Sequence, residues 1–247
     1  SLSTAADSTT VQVWEYRQND PGYTVMVEDD HDDTGGPFSY QGNTTIASPA
    51  DEVGVAGQGP DGVYRTIFEE GHRDGYDGGN AYWSGANGQT VFYFAYTIRL
   101  DNSFKTNENM VKHLGWFWGG SSTTTFVGLK ALNPNKDAAV YPMYRFKGEN
   151  LADCKPPTPN NWTLSRGDWH QIEGQVVYNG NGTFDLRLWL DGSLAAECTD
   201  FAWDDADPAG SNPLSEFKYF NTYGGGGTDQ TERSYIDIGH SYIGGHN

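Results

Sequence analysis

Thr183-Phe184-Asp185-Leu186-Arg187-Leu188-Trp189-Leu190-Asp191-Gly192 is the stretch that decides the fold class. Phe184, Leu186, Leu188 and Leu190 point one way along it, and Asp185, Arg187, Trp189 and Asp191 the other. That period of two is what a half-buried β-strand requires. Just before it, Tyr178-Asn179-Gly180-Asn181-Gly182 reads as a hairpin turn, since Asn-Gly takes the positive φ of a tight reversal. Asp191-Gly192 makes a second turn after it. Further back, Ile172, Val176 and Tyr178 share one face of a strand from Trp169, while Gln171, Glu173 and Gln175 line the other. Three consecutive antiparallel strands are therefore expected from Trp169 to Ala196.

The same alternation extends outward. From Val91 to Leu100, the residues Phe92, Phe94, Tyr96, Ile98 and Leu100 form a core face. Val91, Tyr93, Ala95, Thr97 and Arg99 form a mixed, partly exposed one. From Ser234 to Tyr242, Ile236 and Ile238 turn inward and Tyr235 and Asp237 outward. Helical periodicity is nearly absent; Glu149 to Cys154 and Phe201 to Asp207 are the places for a short helical turn. With 32 Gly, 14% aromatics and 8 Trp in 247 residues, the expectation is one all-β domain over 1–247, a two-sheet antiparallel β-sandwich. Residues 1–60 supply N-terminal strands or an extension.

Charge narrows the partners. With 33 Asp+Glu against 15 Lys+Arg, the net charge is −18, which argues against nucleic acid or an anionic membrane. No apolar run is long enough to insert in a bilayer. The start, Ser1-Leu2-Ser3-Thr4-Ala5-Ala6, suits a trimmed terminus of a secreted protein. Asn43, Asn161 and Asn181 each open a glycosylation-type triplet. Cys154 and Cys198 form either one disulfide or two buried thiols. No cofactor is expected. Asp29-Asp30-His31-Asp32-Asp33 carries oxygen ligands of the kind that hold a structural Ca²⁺, without the spacing of a defined calcium loop.

Several segments, in order, resemble the jelly-roll polysaccharide lyases that act on alginate and glucuronan, within the concanavalin A-like lectin/glucanase superfamily. Trp169-His170-Gln171-Ile172-Glu173 followed by Leu186-Arg187-Leu188-Trp189-Leu190-Asp191-Gly192 resembles their "W-x-x-I-E … L-R-x-W-x-D-G" unit. Leu114 to Gly120 resembles "K-L-P-G-L-Y-G-G", and Tyr64 to Gly71 resembles "L-R-V-x-Y-P-x-G". Phe220 to Gly225 and Tyr235 to Asp237 resemble the closing strands. The resemblance implies a concanavalin A-like jelly roll and an extracellular polysaccharide as partner. There are departures: His113, preceded by Lys112, stands where the lyases carry lysine, and Gly128 and Lys130 stand at Ser-x-Arg. The lyases' tyrosine pair meets Tyr141 and Met143, or Tyr144 if the register slips.

β-Elimination on a uronate needs a cation to neutralise the carboxylate, a base for the adjacent proton and an acid for the leaving oxygen. Lys130, Arg145 and Arg187 suit the first task, His113 or Tyr141 the second, and Tyr141 or Tyr144 the third. Alternation puts Tyr141 and Arg145 on one face. Trp118 and above all Trp189 offer flat rings for sugar stacking, and Lys112, Gln171, Gln175 and Tyr223 complete the expected contacts. A glycoside hydrolase ranks lower, because no Glu-x-Asp-x-x-Glu pairing of carboxylates occurs. Two rival readings remain: a non-catalytic carbohydrate-binding module, and a self-associating structural or adhesive subunit whose first sixty residues complete a neighbour's sheet.

Overall fold

The structure, a computed structural model, describes residues 19–29, 31, 36–47, 62–71, 76–77, 79–83, 89–104, 111–117, 124–131, 140–146, 149–150, 163–179, 183–202, 216–223 and 232–246. Every regular element among them is a strand. In chain order these are β1 (Thr24–Asp29), β2 (Ser39–Gln41), β3 (Thr44–Ala47), β4 (Val63–Phe68), β5 (Tyr76–Asp77), β6 (Asn80–Trp83), β7 (Val91–Leu100) and β8 (Val111–Phe117). Then follow β9 (Thr124–Ala131), β10 (Val140–Phe146), β11 (Glu149–Asn150), β12 (Trp169–Tyr178), β13 (Thr183–Leu190), β14 (Ser193–Ala202), β15 (Glu216–Tyr223) and β16 (Ser234–His246).

They build two antiparallel sheets. The first runs β14-β13-β12-β7-β16-β4-β3, with β1 on β16; the second runs β11-β10-β9-β8-β15-β6-β2, with β5 on β15. The meander β12-β13-β14 is the one expected from the alternating run, extended at its end to Ala202. At both places expected for a short helical turn, the described residues are strand. Glu149–Asn150 is β11, paired to β10, and Phe201–Ala202 ends β14 against β13; the rest of both stretches lies outside the described residues. Cross-strand pairing satisfies those backbone groups, which a lone helical turn would not. Residues from the first sixty enter both sheets, as β1 and β3 in the first and β2 in the second.

The core is the space between the sheets. Phe92, Phe94, Tyr96, Ile98 and Leu100 of β7, Ile172 and Val176 of β12, Phe184 to Leu190 on alternate positions of β13, and Ile236 and Ile238 of β16 face it from one side. Phe217 and Tyr219 of β15, Val111 and Leu114 of β8 and Ala81 of β6 close it from the other. Phe94 and Phe217 meet across the layers at 5.9 Å between ring centroids, and Tyr96 and Tyr219 at 5.3 Å. Phe94 also lies against the backbone of Gly174, where an added Cβ would fall inside the phenyl ring. The ring has no room to retreat, so Gly174→Ala should cost about 1–3 kcal/mol of stability by overpacking. Urea unfolding checks this, and an unchanged midpoint would contradict the packing.

On the outer face of β7, expected to be partly exposed, only Val91 meets solvent: Tyr93, Ala95, Thr97 and Arg99 are all buried. Residues 19–23 run across this side of the sheet. Asn19 donates to Glu173 from its backbone N at 2.9 Å and its Nδ2 at 3.1 Å, and Gln175 Nε2 donates to Tyr23 OH at 2.8 Å. Tyr242 OH donates to Asp20 Oδ2 at 3.1 Å. Beside this cover, wholly buried Asp237 accepts two bonds from Arg65 and one from Arg99, at 2.7, 2.9 and 2.8 Å. Tyr235 and Trp169 stack on those two guanidinium groups. Cys198 is disulfide-bonded, and Cys154 is the only other cysteine in the chain.

Candidate functional site

The second sheet collects most of the expected catalytic residues. In an antiparallel ladder, partners on one rung share a face and successive rungs alternate. Val111 pairs with Leu129, itself opposite Pro142, and Val111 is buried, so that rung faces the core. Leu114, Val127, Tyr144 and Tyr219 form another core-facing rung, anchored by buried Leu114 and Tyr219. The rungs between take the outer face. One is Thr222–Lys112–Gly128–Met143; the next is Lys218–Gly115–Phe126–Arg145. Beyond them lies Lys130–Tyr141.

Lys112, Lys130, Tyr141 and Arg145 therefore share one outer face. Gly115 and Gly128 occupy adjacent strands and adjacent outer rungs, paired with Phe126 and Lys112, so two central positions of that face carry no side chain. The register also settles the tyrosine pair: Tyr141 and Met143 stand on outer rungs and Tyr144 on a core rung. Tyr223 shares the core-facing rung of Val111, which removes it from this face. Trp118 and the glycosylation candidates Asn161 and Asn181 lie outside the described residues. Asn43 Nδ2 donates to Ile67 O at 3.2 Å.

His113 is corrected from site to core. The β8 register shifts between Lys112 and Leu114, and β15 shifts between Tyr219 and Thr222. The extra residue of such a bulge lets two neighbours turn to the same side, so His113 follows Val111 inward and Leu114 does too. The imidazole is wholly buried between the rings of Tyr96 and Tyr219, at 5.3 and 5.9 Å. Nδ1 donates to Asn221 Oδ1 at 2.5 Å, and Asn221 Nδ2 donates to Thr66 Oγ1 at 2.7 Å. Nε2 has no partner among the described residues. Burial pulls the His113 pKa down to about 4, against the opposing pull of the Asn221 bond.

The unfolded chain binds this proton near pH 6.5, the folded one only near 4. The stability owed to neutral His113 is complete above about pH 6.5 and drains away as pH falls toward 4, up to about 3 kcal/mol. Urea midpoints should fall over that interval, and fall less in His113→Gln. Equal slopes in both proteins would refute the assignment.

Gln171, Gln175, Arg187 and Trp189 belong to the opposite outer face, on β12 and β13 of the first sheet. Sheets pack about 10 Å apart face to face, so these four cannot line one trough with Lys130 and Tyr141. Gln171 and Gln175 are buried. Arg187 donates to Glu197 Oε1 at 2.7 Å and Gln175 Oε1 at 2.9 Å. Glu173 is buried too, taking bonds from Asn19 and from Tyr93 OH, whose pKa rises through burial and the adjacent carboxylate.

A second polar cluster sits in the core. His31, in the left-handed region at φ 52, bonds Tyr40 OH through Nδ1 at 2.9 Å and Ser241 Oγ through Nε2 at 2.7 Å. Sequence reading placed His31 only within an acidic run. Asp29 instead accepts the His31 backbone N–H at 2.8 Å. No group of three metal-ligating side chains converges among the described residues.

No family model matches the chain, and no curated protein matches it. Solved structures do match. Alginate lyase Aly36B in complex with an alginate tetrasaccharide superposes with a TM-score of 0.59 at 11% identity, over 75% of this chain and 81% of that one. Alginate lyase vAL-1 from Chlorella virus gives 0.59 at 14%, over 90% and 100%. The endo-β-1,4-glucuronan lyase of the fungus Trichoderma reesei gives 0.54 at 15%, over 90% and 96%. By strand order, layer packing and these superpositions, the chain has the jelly-roll fold of the alginate and glucuronan lyases.

Proposed function

We propose that this chain acts outside the cell on a uronate-containing polysaccharide, cleaving it by β-elimination on the outer face of the second sheet. The observation that carries the reading is the common face of Lys112, Lys130, Tyr141 and Arg145, with glycine at two of its central positions, in a chain of net charge −18. Cations gathered on one face of so acidic a protein suit an anionic polymer. The disulfide at Cys198 supports an oxidising compartment.

Elimination then divides among the residues of that face. Lys130 and Lys112 neutralise the uronate carboxylate, which acidifies the proton beside it. Tyr141, as phenolate, takes that proton. The electron pair forms a C=C bond, the glycosidic C–O bond breaks, and the departing oxygen receives a proton from the Tyr141 phenol. With His113 buried in the core, the task of base passes to Tyr141 alone. Incubating the protein with alginate and glucuronan, and following ultraviolet absorbance of the unsaturated product, tests the reading. No absorbance rise on any polyuronate would sink it. A second reading, binding without cleavage, draws support from Gly128 and Lys130, which replace the lyases' Ser-x-Arg. Retention on the glycan without product would select it.

A further inference from the structure

We propose that Lys218 and Tyr82 form a remote uronate-binding subsite on the same outer face, so that the protein grips a polymer across several sugars. This rests on the glycan-handling reading of the second sheet. Lys218 lies between Phe217 and Tyr219 on β15, both wholly buried, so it must turn outward. Its partner on β6 is Tyr82, which likewise stands between core-packed Ala81 and Trp83. Both are half-buried, so each is held against the sheet and still meets solvent.

The charge arrangement singles Lys218 out. Arg65 and Arg99 share Asp237, Arg187 holds Glu197, Arg233 reaches Glu69, and Arg166 donates to Phe104 O. Among the described side chains of lysine and arginine, Lys218 alone has no such partner. In a chain with 33 acidic residues, an ammonium left without a carboxylate is set toward an external anion. Beside it the Tyr82 ring offers a flat apolar surface, and its hydroxyl is kept in place by Gln41 Nε2 at 3.3 Å. Ammonium plus ring is the pairing that takes a uronate, carboxylate to the charge and pyranose face to the ring.

Position makes the subsite remote. Lys218 shares its rung with Gly115 and Arg145, three strands and two outer rungs from Tyr141. Strand spacing and rise put it about 20 Å from Tyr141 along a diagonal. On β8 that diagonal passes between Gly115 and Lys112, and on β9 it passes Gly128. A chain lying in this trough would meet Lys218 at one end and Lys130–Tyr141 at the other.

Affinity electrophoresis in gels containing alginate, glucuronan or neutral hydroxyethyl cellulose tests this. The polyuronate gels should retard the native protein and the neutral gel should not. Lys218→Gln should weaken association with the polymer about tenfold, while Lys218→Arg largely restores it. Tyr82→Ala should weaken it as well, and uronate disaccharides should compete poorly with longer oligomers. Retardation of the native protein that Lys218→Gln leaves intact would overturn the subsite alone. No retardation of the native protein in either polyuronate would overturn both the subsite and the reading beneath it. Equal retardation in the neutral gel would remove the carboxylate from the argument and the subsite with it.

Discussion

Tyr141→Phe should lower the rate of elimination on a polyuronate by about 10²–10⁴-fold, the share that a positioned acid–base group contributes. Phenylalanine keeps the ring and deletes only the oxygen that carries the proton. Lys130, opposite Tyr141 in the ladder, should then behave differently. Lys130→Gln should weaken carboxylate neutralisation, and Lys130→Arg should recover part of the activity. Initial rates of unsaturated-product formation check both. A Tyr141→Phe protein that turns over polymer at the native rate would mean that the proton moves elsewhere, and the outer face of the second sheet would lose its claim to the chemistry.

Asp237→Asn should destabilise the fold by about 3–5 kcal/mol, because breaking a buried ion pair strands the charges that it held. Asp237 is 0% exposed, and Arg99 is 5% exposed. Both guanidinium groups lose the carboxylate they share, in a place where burial excludes full solvation. The readout is the urea midpoint at constant slope. A loss under about 1 kcal/mol would be the size of a surface pair and would show that water reaches this cluster. Replacing Arg65, Arg99 and Asp237 together with apolar residues of similar volume should recover much of the loss.

The two results address different parts of the molecule, and the sequence spoke to them unequally. The strand from Phe184 to Leu190 announced itself, because leucine at every second position has one stable disposition: a face against a core. The Asn-Gly turn before it and the Asp-Gly turn after it then dictated an antiparallel meander. Tyr141 and Arg145 were also legible as residues of one face. Lys218 and Tyr82 were not singled out, although each is a polar residue inside an alternating aromatic strand, which is the signal that marks an outward position.

His113 and the β12–β13 residues went astray for two separate reasons. A bulge adds one residue to one strand of a pair, and period-two reading assumes none. The register shift in β8 turned His113 inward, and the matching shift in β15 brought Asn221 to meet it. Glu173 and Gln175 were rightly read as off the core face, yet off-core did not mean exposed. Asn19 and Tyr23 cover them from more than 150 residues away.

By itself the sequence determined the all-β class, the alternating faces of the long strands and the acidic character, since each follows from side-chain order along a chain of fixed period. Only the tertiary structure decided which sheet carries which face, where the bulges fall, and which polar residues the N-terminal segment buries. Those depend on contacts between segments distant in the chain, and local periodicity holds no information about them.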